Sequence, residues 1–227
     1  MQRYFALNSN LELSNNDIHH IKNVMRMKKN EKIEIIFENF LNECIIESIT
    51  KSKLEFEIIK KTKIEEKSNK ITIAFPLIKE KYLSFFLQKA TELSVDEIIL
   101  INTSRTIVKT DKVERYVKIC KEASEQTHRN NIPSINIMDI NNIVKYKKDL
   151  NIFCSVNQMS IDIKRVLKDN KYDNILVVIG PEGGFTNIEE DFLLENKFIS
   201  VSLGSNILKS ETAGIFILSI LNYEVIL

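Results

Sequence analysis

The residues of this chain best suited to chemistry lie in two glycine-punctuated stretches of its last quarter. Gly180-Pro181-Glu182-Gly183-Gly184 follows the apolar run Ile175 to Ile179. Leu203-Gly204-Ser205-Asn206-Ile207-Leu208-Lys209-Ser210 closes a second apolar run that begins at Phe198. Glycine and proline stop a strand and free the backbone, so amides and carbonyls can meet a small molecule with no side chain between them. The spacing is not G-x-G-x-x-G, and no Gly-Lys-Ser/Thr follows, which argues against a dinucleotide fingerprint, a P-loop and a nucleoside triphosphate ligand. Groups able to act as a base or to stabilise charge stand nearby, Lys209 and Glu211, or further back in the chain, Glu125 and Arg129.

Strands and helices must place these groups. Thr186 and Glu189 stand in capping-box spacing, and Ser210-Glu211 reads as the first turn of a helix, so each apolar run is a strand that ends in a loop before a helix. In an open α/β sheet that carboxyl edge is where ligands bind. The same rhythm begins at Ile71 to Phe75. It continues through a helix from Lys79, a strand from Glu97 to Asn102, a helix from Lys112 to Arg129, and strands near Ile135 to Met138 and Asn151 to Ser155. Before it, Arg3-Tyr4-Phe5 opens a strand and Ser14 caps a helix carrying Ile18, Ile21, Val24 and Met25. Leu54, Phe56 and Ile58 alternate as in a half-buried strand. The polar run Glu65 to Lys70 then reads as a linker. The expectation is a small strand-rich domain over 1–69 and an α/β domain over 70–227.

Composition sets looser bounds. A net charge of +1 puts any affinity for nucleic acid into local patches, and 44% hydrophobic residues can fill a core. Cys44, Cys120 and Cys154 lack C-x-x-C spacing, and with His19, His20 and His128 they suggest no metal site. No stretch has the length of a membrane span, so the expected location is the cytoplasm, away from membranes. The last helix is apolar almost all round, through Ile215, Phe216, Ile217 and Ile220, which predicts burial on every side and a second copy of the chain as the cover.

The stretches GPEGGFTNIEE and SLGSNILKSETA resemble the signature of the ribosomal RNA small subunit methyltransferase E family, within the SPOUT superfamily. Gln88 to Leu93, Ser104 to Lys109, and Glu122 to Arg129 followed by Pro133 resemble it too, so the likeness spans nearly the whole chain. The resemblance implies an α/β fold, with a C-terminal trefoil-knot domain and an N-terminal PUA-like β-barrel that binds RNA. It also implies a homodimer and transfer of a methyl group from S-adenosylmethionine to N3 of a uridine in 16S ribosomal RNA. On this resemblance the cofactor's contacts are Gly180, Pro181, Glu182, Gly183, Gly184, Leu203, Gly204, Ile207 and Leu208. Arg129, Lys209 and Glu211 are the catalytic candidates, and Arg3, Arg26, Lys89, Arg105 and Gln126 face the RNA. Three positions depart from the family's pattern: Ser94, where glycine is usual, and Lys209-Ser210, where Arg-Thr is usual. Two alternatives stay open at this point, a knotted enzyme with another target such as a ribose 2′-hydroxyl, and an RNA-binding assembly factor without catalysis.

Overall fold

The structure is a computed structural model that describes residues 1–50, 53–106, 112–156, 160–168 and 172–226. The chain divides into two compact units, Met1–Glu66 with Ser124–Asn130, and Lys67–Ala123 with Asn131–Leu227. The first unit thus takes in a short segment that the sequence reading left inside the α/β domain.

In the first unit, β1 (Gln2–Phe5) is followed by α1 (Asn15–His19), which continues as a π-helical turn over His20–Val24. Ser14 caps α1 through a capping box with Asp17. The switch to π geometry ends the expected helix early, and Val24 and Met25 are exposed instead of packed. Three further strands, β2 (Lys32–Phe37), β3 (Phe40–Ile49) and β4 (Leu54–Lys63), form a meander. With β1 parallel to β2 and the other pairs antiparallel, the described residues give a four-stranded sheet in the order β1-β2-β3-β4. Register shifts between Glu43 and Cys44 and between Ile46 and Ser48 bend the β3–β4 pair. Ile58, read as inward-facing, lies beyond the first of these shifts and is exposed. The core of this unit is Tyr4, Leu11, Ile18, Ile21, Ile33 and Ile35 with their neighbours.

The second unit is built on a parallel sheet. Its elements in chain order are β5 (Lys70–Pro76), α2 (Glu80–Glu92), β6 (Glu97–Asn102), α3 (Val113–Gln126), β7 (Ser134–Asp139), β8 (Leu150–Cys154), β9 (Ile161–Asp162), α4 (Ile163–Lys168), β10 (Asn174–Ile179), α5 (Asn187–Glu195), β11 (Ile199–Ser202) and α6 (Ser210–Leu221). The described strands run β7-β6-β5-β10-β8-β11-β9. Where the strand and helix rhythm would put a helix between β7 and β8, a 3₁₀ segment lies over Ile140–Tyr146.

Continuous apolar runs belong at the centre of such a sheet, because helices cover both faces. The pleat divides them. Ile175, Val177 and Ile179 of β10 join Ile71, Ile73 and Phe75 of β5 in one core, whereas Leu176, Val178 and Ala74 face the other. Helix α6 packs on α2 in the first of these cores, and Gly214 is the contact point. A Cβ there would stand 2.5 Å from Phe86 Cε2, on a ring stacked against Phe75 with centroids 3.5 Å apart. Ile217, Leu218 and Leu221 of α6 are therefore buried within the chain itself, and Phe216 remains 44% exposed. No described helix is long and apolar enough to cross a membrane.

Candidate active site at the carboxyl edge of the parallel sheet

Both glycine loops lie in the second unit, at the carboxyl ends of β10 and β11. They are joined there: the Ser210 hydroxyl donates to the Gly180 carbonyl at 2.8 Å, although Ser210 follows β11 and Gly180 follows β10. Pro181 is buried, and the Gly184 amide closes a turn onto the Pro181 carbonyl at 2.8 Å. Gly184 adopts φ 69, which glycine takes without strain. Glu182 and Gly183 are exposed. In the second loop Gly204 has φ 126, and nothing lies within 4 Å of the place a Cβ would occupy. Leu203 and Leu208 are half-buried and Ile207 is 82% exposed. Leu203 and Gly204 also line a groove of about 790 Å³ between α4, the end of β11 and the outer face of α6, with Phe216 and Ile220 on α6 and Tyr223 just beyond it.

A third loop, after β6, holds the first in shape. Glu189, in the first turn of α5, accepts from the Thr186 amide at 2.7 Å and the Thr186 hydroxyl at 3.0 Å through one oxygen, and from the Ser104 amide at 2.7 Å through the other. Burial opposes ionisation of this carboxyl, but the bonds from Thr186 and Ser104 outweigh it and hold its pKa below the usual carboxylate value. Arg105 sends one guanidinium nitrogen to the carbonyl of Gly183 and, at 3.3 Å each, to those of Gly184 and Phe185. The next acidic residue, Glu190, accepts from the Ser155 hydroxyl at 2.6 Å, at the end of β8. Adjacent carboxylates on α5 thus tie the strand-end loops of β6 and β8 to the helix that follows the first glycine loop. The Thr186–Glu189 spacing marked a helix cap in the sequence. Nothing in it marked Ser104 or Ser155 as partners, because both contacts bridge distant parts of the chain.

Lys209 and Glu211 meet at the start of α6. Lys209 is exposed, with its ammonium 5.9 Å from the Tyr82 ring centroid on α2. Glu211 is buried, and its side chain has no hydrogen-bond or ion-pair partner among the described residues. Cys154, at the carboxyl end of β8, has its thiol pushed up to about 12 by burial, which keeps it from acting as a thiolate nucleophile near neutral pH. Among the described residues no group of three or more His, Cys, Asp or Glu is placed to hold a metal ion.

The other expected site residues lie on other elements. Arg3, read as facing RNA, is buried in the first unit. It pairs with Glu34 at 2.8 Å and donates to the His128 carbonyl and, at 2.7 Å, to Asn130 Oδ1. That placement follows from β1 lying against the segment Ser124–Asn130, a contact no local pattern announces. Phe5 donates its amide to Glu125 Oε1 at 3.2 Å in the same seam. Arg129 is also buried there, and Gln126 is exposed. His20 sits 3.0 Å from the Tyr4 hydroxyl and His19 is exposed. Arg26, Lys28 and Lys29 are exposed between the π-helical turn and β2. Lys89 pairs with Glu92 at 2.7 Å on α2. Ile107, Val108 and Lys109, part of the resembling stretch Ser104 to Lys109, lie outside the described residues.

Comparison with known proteins agrees with this arrangement. Residues 65–222 match the model of an RNA methyltransferase domain and residues 13–59 that of an RNA methyltransferase PUA domain. The ribosomal RNA small subunit methyltransferase E of Bacillus subtilis is 32% identical over 99% of this chain and 97% of its own. A protein of Legionella pneumophila, solved in complex with the bound cofactor SAM, superposes with TM-score 0.88 at 27% identity over 98% of this chain and 97% of that one. The ribosomal RNA small subunit methyltransferase E of Neisseria gonorrhoeae, solved bound to S-adenosyl methionine, gives TM-score 0.86 at 26% identity over 99% of this chain and 98% of that one. With this likeness running the length of both units and through both glycine loops, the chain belongs to the ribosomal RNA small subunit methyltransferase E family.

Proposed function

We propose that this protein transfers the methyl group of S-adenosylmethionine to N3 of a uridine in the 16S RNA of the small ribosomal subunit. The observation that carries the reading is the joint between Ser210 and Gly180, which fixes the two glycine loops as one surface at the sheet's carboxyl edge. The residues fit the cofactor. Gly204 leaves open the space a side chain would fill, Gly183 is exposed, and the adjoining groove of about 790 Å³ is of the size that holds such ligands.

When bound, the cofactor supplies an electrophilic methyl group on a positively charged sulfur. The chain's own part is to bind, orient and manage the proton. Backbone groups of Gly180 to Gly184 and of Leu203 to Leu208 hold the cofactor. Orienting two bound reactants accounts for about 7–11 kcal/mol of barrier lowering, more than acid–base help alone. Glu211 accepts the N3 proton of a uracil turned out of its stack, and the Lys209 ammonium stabilises the negative charge left on the ring.

The rest of the reading concerns organisation. A β-barrel-like domain over 1–69 carries RNA contacts at Arg26, Lys28, Lys29 and neighbouring cations, and a methyltransferase domain over 70–227 is threaded as a trefoil knot. The threading is supported by the order of the sheet: β10 lies between β5 and β8, β11 lies beyond β8, and α6 returns to β5 and β10. The exposed Phe216 supports a homodimer, and a ribosomal substrate supports the cytoplasm as its location. The test is to incubate the purified protein with methyl-labelled S-adenosylmethionine and small subunits or free 16S RNA, then digest the RNA to nucleosides. Label in N3-methyluridine supports the reading, and label in a ribose methyl group or none at all refutes it.

A further inference from the structure

We infer that Arg105 is a positioning residue that sets the shape of the first glycine loop for the cofactor, rather than a cation held out to the RNA. Its guanidinium reaches the carbonyls of three consecutive residues, Gly183, Gly184 and Phe185. A planar trans peptide points its amide opposite to its carbonyl, so drawing these oxygens to one side fixes the amides of Gly184, Phe185 and Thr186, of which Gly184 bonds the Pro181 carbonyl and Thr186 bonds Glu189. The loop is also pinned at the far end, where the Ser104 amide binds Glu189. Residues 104 and 105 therefore grip both ends of the segment from Gly183 to Glu189. The amides of Glu182 and Gly183 have no hydrogen-bond partner among the described residues and remain available to a ligand. A Cβ at Gly183 would stand 3.2 Å from Arg105 Cδ, so the guanidinium arm lies directly against this backbone.

The inference rests on the reading of the loop as part of the S-adenosylmethionine site, and the experiment separates the two. Arg105→Lys keeps the charge, but its arm is one bond shorter than the path to the single nitrogen that makes all three contacts, and Arg105→Ala loses both charge and arm. A phosphate contact, being largely electrostatic, survives in Arg105→Lys; a three-carbonyl anchor does not. In the cofactor-free protein, amide hydrogen exchange at Gly184, whose bond to Pro181 closes the turn, is expected to quicken in both variants. Calorimetry is expected to give a Kd for S-adenosylmethionine raised about tenfold in both, the loss of one charge-assisted bond, with the KM for RNA and its salt dependence unchanged. Unchanged exchange at Gly184 overturns the inference. So does unchanged cofactor affinity with an RNA KM that rises in Arg105→Ala alone and a flattened salt slope. If the wild-type protein binds no S-adenosylmethionine, the functional reading fails, and the exchange measurement still decides whether Arg105 anchors the loop.

Discussion

The hydroxyl of Ser210 donates to the carbonyl of Gly180 at 2.8 Å, joining the first residue of α6 to the last residue before the Pro181 turn. The family's pattern has threonine at this position. Serine keeps the hydroxyl, which explains why the departure leaves the joint intact. Ser210→Ala removes a buried donor and leaves the Gly180 carbonyl unpaired, at a cost of about 1–2 kcal/mol. Calorimetry should show cofactor affinity falling roughly five- to thirtyfold in Ser210→Ala and little changed in Ser210→Thr.

Gly204→Val should abolish cofactor binding with the fold retained. At φ 126 a β-branched side chain is strained, and it would project into the open space beside the loop. Circular dichroism should remain that of the folded protein while the heat of S-adenosylmethionine binding disappears.

Glu189→Gln tests the hold on the same region from the helix side. Both carboxylate oxygens accept from N–H groups, so an amide NH₂ must face one of them. The expected loss is about 1–3 kcal/mol at neutral pH. The pH dependence has a definite sign. The folded pKa of Glu189 is lowered, so the stabilisation is fully present above the unfolded value, about 4.3, and is lost as pH falls through the folded one. Urea titrations should show the gap between wild type and Glu189→Gln closing below about pH 4; a gap independent of pH would contradict this role for the carboxylate.

Much of the site could be read in the sequence, because its strongest marks are local. Glycine and proline punctuate both loops, and the Thr186–Glu189 spacing marks the start of α5. What could not be read is tertiary. Ser104 meets Glu189 across 85 residues, and Arg3 meets Asn130 across 127. In the fold, β5, β6, β8 and β10 were legible as apolar runs. The 3₁₀ segment over Ile140–Tyr146 and the short pair β9 and α4 carry too little periodicity to separate from loop. The apolar girth of α6 suggested cover on every side, and much of that cover is α2, let in close by Gly214.

Ser94 explains another departure. It follows the last turn of α2 at φ 65, with its amide on Thr91 and that of Val95 on Ala90, a helix ending that favours glycine. A serine held in the left-handed region costs about 1 kcal/mol. Ser94→Gly should therefore raise the melting temperature by roughly 2–4 °C without altering methylation. A lower melting temperature would show that the serine side chain contributes more than its backbone conformation costs.

If this chain places a methyl group on N3 of a uridine in 16S ribosomal RNA, cells without it lack that nucleoside. The direct measurement is made in cells: delete the gene, isolate the 16S RNA, digest it to nucleosides and compare them by mass spectrometry with those of the parent strain. N3-methyluridine is expected to disappear, to return with the wild-type gene, and not to return with Gly204→Val. Persistence of N3-methyluridine in the deletion strain, or loss of a different methylated nucleoside in its place, would contradict it.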